Sequence, residues 1–190
     1  MIEVTRETKE TQISVKLNLY GTGQASINTG VGFYDHMLEA FTKHAHIDME
    51  VTCTGDTHID DHHTVEDVAI VIGQALKKAI YPVQSIERFG NATVVMDEAS
   101  ITCDIDLSNR GFLVFELPIG GKVGNFDVEL VEEFFKAFAF NLPLTLHLIY
   151  NRGKNKHHII EGAFKALAVA LRRAVTVNEN AGIPSTKGVL

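Results

Sequence analysis

Alternation of apolar and polar residues is the main pattern in the first part of the chain, and it predicts β-strands. Between Ile13 and Leu19 every second residue is apolar, so those side chains share one face of a strand. The turn sequence Gly21-Thr22-Gly23 then ends the segment. The same pattern predicts strands over Ile2–Thr8, Thr11–Leu19, Ala25–Asn28 and Ile47–Cys53.

Two stretches of the first half have apolar residues at helical spacing instead. The shorter one follows Gly30 and Gly32 and covers Tyr34–Thr42. The longer one begins at Asp61, a residue type that caps helix N-termini. Its apolar residues recur every three or four positions, which predicts an amphipathic helix. This apolar stripe consists of Val65, Val68, Ala69, Ile72, Ala75, Leu76 and Ala79.

The second half repeats this order of elements. Predicted strands cover Ala92–Asp97, Ile101–Leu107, Phe112–Leu117 and Pro143–Tyr150, and predicted helices cover Val128–Phe140 and the stripe from Ile160 to Ala174. Each half therefore reads β-β-β-α-β-α, which predicts fold class α+β. We expect antiparallel or mixed sheets, with the helices packed between the two halves because this buries both apolar stripes.

A repeated motif supports an internal duplication. His62-His63-Thr64-Val65-Glu66 recurs as His157-His158-Ile159-Ile160-Glu161, at an offset of 95 residues (from 62 to 157). The segment from Leu76 recurs from Leu171 at the same offset. A gap-free repeat of this length indicates one duplicated structural unit. We predict repeats at 1–86 and 87–190 that form one compact unit.

Composition and charge exclude several classes of function. The net charge is −7 and no cluster of Lys and Arg is present, which argues against a nucleic-acid-binding surface. No stretch approaches the roughly 18 apolar residues that span a bilayer. The charged segment 1–9 lacks the apolar part of a signal peptide, so a cytoplasmic location is expected.

Cys53 and Cys103 lie in apolar runs and are interpreted as buried reduced thiols.

The repeated residues are of metal-ligand types. Successive helical residues are about 100° apart, so two adjacent histidines cannot readily chelate one ion and each motif should serve two metal positions. The glutamate follows the two histidines by four and three residues and can join either. A single His pair at a helix start is more often solvated, but two copies, each with a glutamate, favour metal binding. His36 and Glu133 precede the motifs at similar distances and could add ligands.

With these motifs in place, the chain resembles the imidazoleglycerol-phosphate dehydratase family of histidine biosynthesis, nearly from end to end. The matching segments are Arg6-x-Thr8-x-Glu10-Thr11, 33–38, 58–67, Arg88-Phe89-Gly90, Asp97-Glu98-Ala99, 157–166 and 184–190. The resemblance implies a duplicated fold of the ribosomal-S5-domain-2-like type. It also implies a hollow homo-oligomer, expected to have 24 subunits, with active sites at subunit interfaces.

The resemblance further implies two Mn²⁺ ions per active site. Carried over by position, the ligands are His36, His62, His63, Glu66, Glu133, His157, His158 and Glu161. The chain departs from the family at Glu133, where a histidine is typical. A carboxylate oxygen can also bind Mn²⁺ but adds negative charge. Imidazole and carboxylate donors without thiolate suit Mn, Fe or Zn.

The reaction implied by the resemblance converts D-erythro-imidazole glycerol phosphate to imidazole acetol phosphate and water. No carbonyl acidifies the carbon that loses its proton, so an imidazolate bridging two metal ions is the expected electron sink. The resemblance assigns acid–base catalysis to Glu10, which is otherwise interpreted as an exposed turn residue. It assigns phosphate binding to Arg88, Arg110, Ser185, Thr186 and Lys187.

Two other functions remain possible from the residues themselves. A dinuclear metallohydrolase would also use histidines and glutamates, although its bridging carboxylates commonly lie at strand ends rather than on helices. A non-catalytic protein could use the same histidines to join subunits through metal ions. Release of inorganic phosphate distinguishes the first alternative, and absence of activity in every metal form distinguishes the second.

Overall fold

Each half of the chain forms a four-stranded sheet with two helices, and the computed structural model describes residues 1–190. The first sheet consists of β1 (Ile2–Glu7), β2 (Thr11–Asn18), β3 (Ala25–Asn28) and β4 (Asp48–Gly55), in the order β1-β2-β4-β3. Its helices are α1 (Gly32–Ala45) and α2 (His62–Ile80). Strands β3 and β4 are parallel and the other pairs are antiparallel, because α1 carries the chain across the sheet between them.

The second half has the same strand order. Its elements are β5 (Phe89–Met96), β6 (Ala99–Asp106), β7 (Phe112–Glu116), a small hairpin β8 (Lys122–Val123) and β9 (Phe126–Asp127), α3 (Glu129–Asn141), β10 (Thr145–Arg152) and α4 (Lys156–Ala174). The sheet order is β5-β6-β10-β7, and β7 and β10 are its parallel pair. The duplicated β-β-β-α-β-α order and the mixed sheets are therefore confirmed. The β8–β9 hairpin was not predicted, because two-residue strands contain no periodic pattern.

The helices of the two halves pack against one another. Helices α1 and α2 cover the first sheet, α3 and α4 contact the second, and across the halves α1 meets α4 while α2 meets α3. The predicted burial of both apolar stripes between the halves is thus confirmed. None of the four helices combines the length and apolarity needed to cross a membrane.

Aromatic side chains fill the space between these helices. The rings of Phe134 and Phe164 have centroids 4.7 Å apart, and Tyr34 reaches Phe134 from α1 at 5.7 Å. Phe41 and Phe138 form a further edge-to-face pair at 6.0 Å. Such pairs add about 1 kcal/mol each beyond the burial of their area. The two halves share one apolar core of 54 buried residues.

Strand β5 lies so close to α4 that position 90 has no room for a side chain. A β-carbon on Gly90 would meet the backbone carbonyl oxygen of Ala170 and lie 2.8 Å from the backbone nitrogen of Ala174. Neither group can move without shifting the helix. The glycine of the Arg88-Phe89-Gly90 segment is therefore required by packing.

We predict that Gly90→Ala lowers the free energy of unfolding by about 1–3 kcal/mol, because the added methyl group overpacks the β5–α4 contact. Urea denaturation at fixed protein concentration measures this change. Gly120→Ala is the control, because a β-carbon at Gly120 meets no atom within 4 Å. Equal midpoints for the two variants would contradict the packing argument.

Candidate active site

Three of the predicted ligands converge where α1 meets the start of α4. Nε2 of His157 lies 3.1 Å from Oε2 of Glu161, one helical turn later on α4, and Nε2 of His36 on α1 lies 3.6 Å from the same oxygen. One donor atom from each residue lies within 4.8 Å of the others. Ligands bound at 2.0–2.2 Å are roughly 3–4.4 Å apart, so the separations of 3.1 and 3.6 Å and the N/O donor set fit a divalent cation.

Lys165 gives Glu161 a cationic partner that the sequence reasoning did not identify. Its Nζ lies 2.7 Å from Oε1 of Glu161, whose side chain is only 8% exposed. Burial by itself raises the pKa of Glu161, but Lys165 and the neighbouring His36 and His157 outweigh it and lower the pKa. The carboxylate is thereby kept ionised beside the imidazoles. The spacing of four residues on one helix was the available clue.

The related residues of the first half lie at the contact between α2 and α3. Nε2 of His62 is 3.7 Å from Oε2 of Glu66. Glu66 and Glu133 line one groove of about 200 Å³ between the two helices. Glu133 pairs with Lys136 at 4.0 Å and makes no ion pair with His62. The structure brings Glu133 to the expected groove, and its role as a ligand stays a prediction.

Adjacent histidines diverge, as the helical geometry predicted. The rings of His62 and His63 have centroids 6.2 Å apart at an interplanar angle of 84°, and those of His157 and His158 are 6.3 Å apart at 76°. Each pair therefore presents donors in two directions. Neither pair is arranged to chelate one ion by itself.

A carboxylate holds the second histidine of each pair. Nδ1 of His63 lies 2.9 Å from Asp56, and Nδ1 of His158 lies 2.8 Å from Glu98. These contacts raise the pKa of both imidazoles. The backbone N–H of Asn155, the His158 ring and the N–H of Lys154 lower the pKa of Glu98 to about 2.

Such carboxylates fix the orientation of a ligand histidine and leave Nε2 for a metal. Asp56 and Glu98 were both missed as functional residues. Their only sequence clue was an acidic residue close to a strand end in each half, and nothing in the spacing tied either one to a histidine.

Local hydrogen bonds place the histidines in the first turn of each helix. The Asn155 side chain caps α4 by accepting from the backbone N–H of His157 and of His158. At α2 the predicted N-cap residue holds its position without a side-chain cap. Asp61 occupies the N-cap position with a helical backbone and its side chain makes no capping bond, whereas Asp60 accepts from His62 N–H at 2.9 Å. An effective cap usually needs an extended backbone, which Asp61 lacks.

Glu10 lies in the turn between β1 and β2, beside the first-half histidines. Its Oε1 is 3.7 Å from Nε2 of His63, and its side chain is 53% exposed. Glu98 takes the corresponding place in the second half, since each residue directly precedes the second strand of a hairpin. The turn location that the sequence suggested is correct, and the contact with His63 links this carboxylate to the histidine cluster.

All five predicted phosphate-binding residues line one cavity of about 650 Å³. They come from the residue before β5, the turn after β6 and the C-terminal segment. No acidic side chain lines the cavity, so its charge is positive and suits an anion. The predicted residues in this lining are Arg88, Arg110, Ser185, Thr186 and Lys187.

The cavity and the His36 cluster lie at opposite ends of α4. The backbone N–H of Arg88 donates to the carbonyl of Ala174, the last residue of this helix. His157 lies in its first turn. At 1.5 Å per residue, the two places are roughly 26 Å apart along the helix.

Comparisons with known proteins agree with these features. A family model described as imidazoleglycerol-phosphate dehydratase matches residues 29–171. The imidazoleglycerol-phosphate dehydratase of Sulfurovum sp. (strain NBC37-1) is 92% identical over 190 residues, which is the full length of both chains. That of Aliarcobacter butzleri (strain RM4018) is 67% identical, again over the full length of both.

Two solved structures also match the fold of this chain. The crystal structure of imidazoleglycerol-phosphate dehydratase from Staphylococcus aureus matches with a TM-score of 0.83 and 40% identity, over 93% of this chain and 99% of that chain. The crystal structure of IGPD from Pyrococcus furiosus in complex with (S)-C348 matches with a TM-score of 0.86 and 38% identity, over 98% and 100%. The chain therefore belongs to the imidazoleglycerol-phosphate dehydratase family, and the sequence-based prediction of a hydro-lyase is confirmed.

Proposed function

We propose that this chain removes water from D-erythro-imidazole glycerol phosphate to give imidazole acetol phosphate in histidine biosynthesis. Membership of the dehydratase family supports this reaction over phosphate-ester hydrolysis and over a purely structural metal site. The observation that carries the proposal is the coexistence of a His/Glu cluster with a separate cationic cavity. The cluster suits an imidazole-binding metal centre and the cavity suits a phosphate.

The metal centre is proposed to contain two Mn²⁺ ions per active site. Bound ions supply Lewis-acid stabilisation of the negative charge that develops as the C–H bond breaks. His36, His157 and Glu161 would hold one ion as three convergent donors. The other proposed ligands are His62, His63, Glu66, Glu133 and His158.

The carboxylates beside the second histidines prepare these imidazoles for that role. Asp56 and Glu98 engage Nδ1 of His63 and His158, so the proton of each neutral ring stays on Nδ1 and Nε2 keeps its lone pair. Lys165 balances the charge of buried Glu161. These contacts thus fix the tautomers of His63 and His158 and the charge of Glu161 before any ligand binds. Less reorganisation is then needed on binding.

Glu10 is proposed to move the proton. Dehydration takes a proton from carbon and delivers one to the departing hydroxyl, so a carboxylate that can exchange protons must lie beside the imidazole-binding groups. Glu10 meets this requirement through its contact of 3.7 Å with His63. Its exposure of 53% leaves it accessible to an incoming substrate.

The complete site is proposed to combine residues from different subunits. The ring and the phosphorus of the substrate are joined by a short glycerol chain and lie less than about 10 Å apart. The two corresponding places in one chain are roughly 26 Å apart along α4. One substrate molecule cannot span them, so the cavity of one subunit must face the histidines of another. The family resemblance supports a hollow assembly of 24 subunits, and many symmetric interfaces would each carry a site.

We predict that Glu10→Gln keeps metal and substrate binding but loses turnover by roughly 10²–10⁴-fold, the usual contribution of an acid–base group. Steady-state kinetics with Mn²⁺-loaded protein, together with a binding measurement, test this. Glu7→Gln, on the adjoining strand β1, is the control. A wild-type kcat for the Glu10 variant would remove this residue from the mechanism.

Loss of one ligand should remove metal from one of the two positions. We expect His157→Ala to retain about half of the Mn²⁺ of wild-type protein after reconstitution and dialysis, because two donors of the three-residue cluster remain too weak to hold an ion. Elemental analysis measures this ratio. His147→Ala, on β10 outside the cluster, should keep the full content. Full manganese in both variants would contradict the ligand assignment.

Mixing two defective variants tests the shared site. Arg110→Ala is expected chiefly to raise KM, and His157→Ala to abolish turnover. When both are co-assembled in equal amounts and assayed at subsaturating substrate, about a quarter of the sites should combine intact histidines with an intact cavity. Each variant assembled alone is the control. If the mixture shows no recovered activity, the site lies within one chain.

A further inference from the structure

The guanidinium group of Arg88 is already bound on three sides within the chain. Its Nε donates to Oδ1 of Asp106 at 2.7 Å, and its Nη2 donates to Oδ2 of the same carboxylate at 3.2 Å. Its Nη1 donates to the carbonyl oxygen of Pro184 at 2.6 Å. The group also lies over the ring of Phe89, at 4.7 Å from the ring centre. Three of its five N–H donors are therefore used, and one on each terminal nitrogen is left.

Asp106 is the residue that fixes this orientation. A bidentate carboxylate holds both the position and the plane of a guanidinium, which a single hydrogen bond does not. Both side chains are largely buried, at 15% exposure for Arg88 and 22% for Asp106, so water competes weakly for the pair. The pairing of Phe89 with Asp106 at the shared end of β5 and β6 brings the two groups together.

The bond to Pro184 ties the C-terminal segment, residues 183–190, to the body of the protein. Leu190 of this segment also packs against the core, and Gly182, just before the segment, accepts from the Ser85 N–H. The other hydrogen bonds of the segment are internal, such as those from Ser185 N–H to Ile183 and from Gly188 N–H to Ser185. The donation from Arg88 is the only hydrogen bond between the segment and the rest of the chain. Pro184 directly precedes Ser185, Thr186 and Lys187, so this bond sets where their donors lie.

The charges of the cavity also indicate that docking of the C-terminal segment favours phosphate binding. The Asp106 carboxylate offsets the Arg88 cation, which leaves Arg110 and Lys187 as the uncompensated cations of the cavity. Lys187 belongs to the C-terminal segment and reaches the cavity only while the segment is docked. Docking therefore supplies much of the positive charge available to a phosphate.

We propose that Asp106 is a positioning residue of the phosphate cavity. It holds Arg88 in the orientation that docks the C-terminal segment, and it thereby assembles the cavity before phosphate binds. Its effect on the reaction rests on the proposed function, whereas docking of the segment does not.

The test uses Asp106→Asn, which keeps the shape of the side chain but loses the charged bidentate pair. Asp104→Asn is the matched control, because Asp104 lies two residues earlier on β6, on the same face, and is exposed. Arg88→Lys is a second variant that keeps the charge but lacks the planar fork. All three are assayed as assembled, metal-loaded protein.

The first measurement is tryptic cleavage after Lys187, followed by mass spectrometry with and without inorganic phosphate. Loss of a charge-assisted bond pair should speed cleavage about tenfold in Asp106→Asn and raise the phosphate concentration for half-protection by a similar factor. Arg88→Lys should behave likewise, and Asp104→Asn should match wild type. Wild-type cleavage in both Asp106→Asn and Arg88→Lys would overturn the docking role.

The second measurement is turnover. Asp106→Asn should raise KM about tenfold while kcat changes less than about twofold, a split that general destabilisation would not produce. Faster cleavage with an unchanged KM would overturn the role in the cavity. If wild-type protein shows no dehydratase turnover, the proposed function fails, but the cleavage comparison still decides whether Asp106 docks the segment.

Discussion

Packing of the helices of one half against those of the other is the interaction on which the fold and the metal site both depend. Each sheet buries one face under two helices, and those helices also carry apolar residues on the side that faces the other half. Contact of α1 with α4 and of α2 with α3 buries these side chains around aromatic residues such as Phe134 and Phe164. The same contact brings His36 of the first half beside Glu161 of the second. Burial of apolar surface therefore positions the polar ligands.

The duplication has produced two related but chemically different groups of ligands. Beside buried Glu161, α4 carries Lys165, whereas the equivalent position of α2 is Ile70. Glu66 needs no such cation because its side chain is 44% exposed and remains hydrated. The place of His36 on α1 is taken by Glu133 on α3, which adds a second carboxylate to the first-half groove. The two groups thus come from equivalent positions of related helices and differ in charge and burial.

Hydrogen bonds from neighbouring residues hold the proposed ligands and the phosphate-binding Arg88 in place. Asp56 and Glu98 orient one imidazole each, Asn155 caps α4, and Asp106 fixes the plane of Arg88. Each of these hydrogen bonds is short, and each is made by a residue near the end of a strand or helix. Placing these groups at element ends lets the sheets and helices hold them, while their outer atoms stay free for a substrate.

The sequence by itself determined the order of elements, the duplication, the divergence of adjacent histidines and the family, because each follows from periodicity, helical geometry or an extended local motif. Spacing alone did not assign Glu10, whose contact with His63 joins residues distant in the chain. Only the tertiary structure decided that His36 joins His157 and Glu161, and that Asp56, Glu98 and Asp106 hold functional side chains. These outcomes depend on which elements meet and at what angle. Side-chain contacts between distant residues are set by packing of the whole core, which no local pattern encodes.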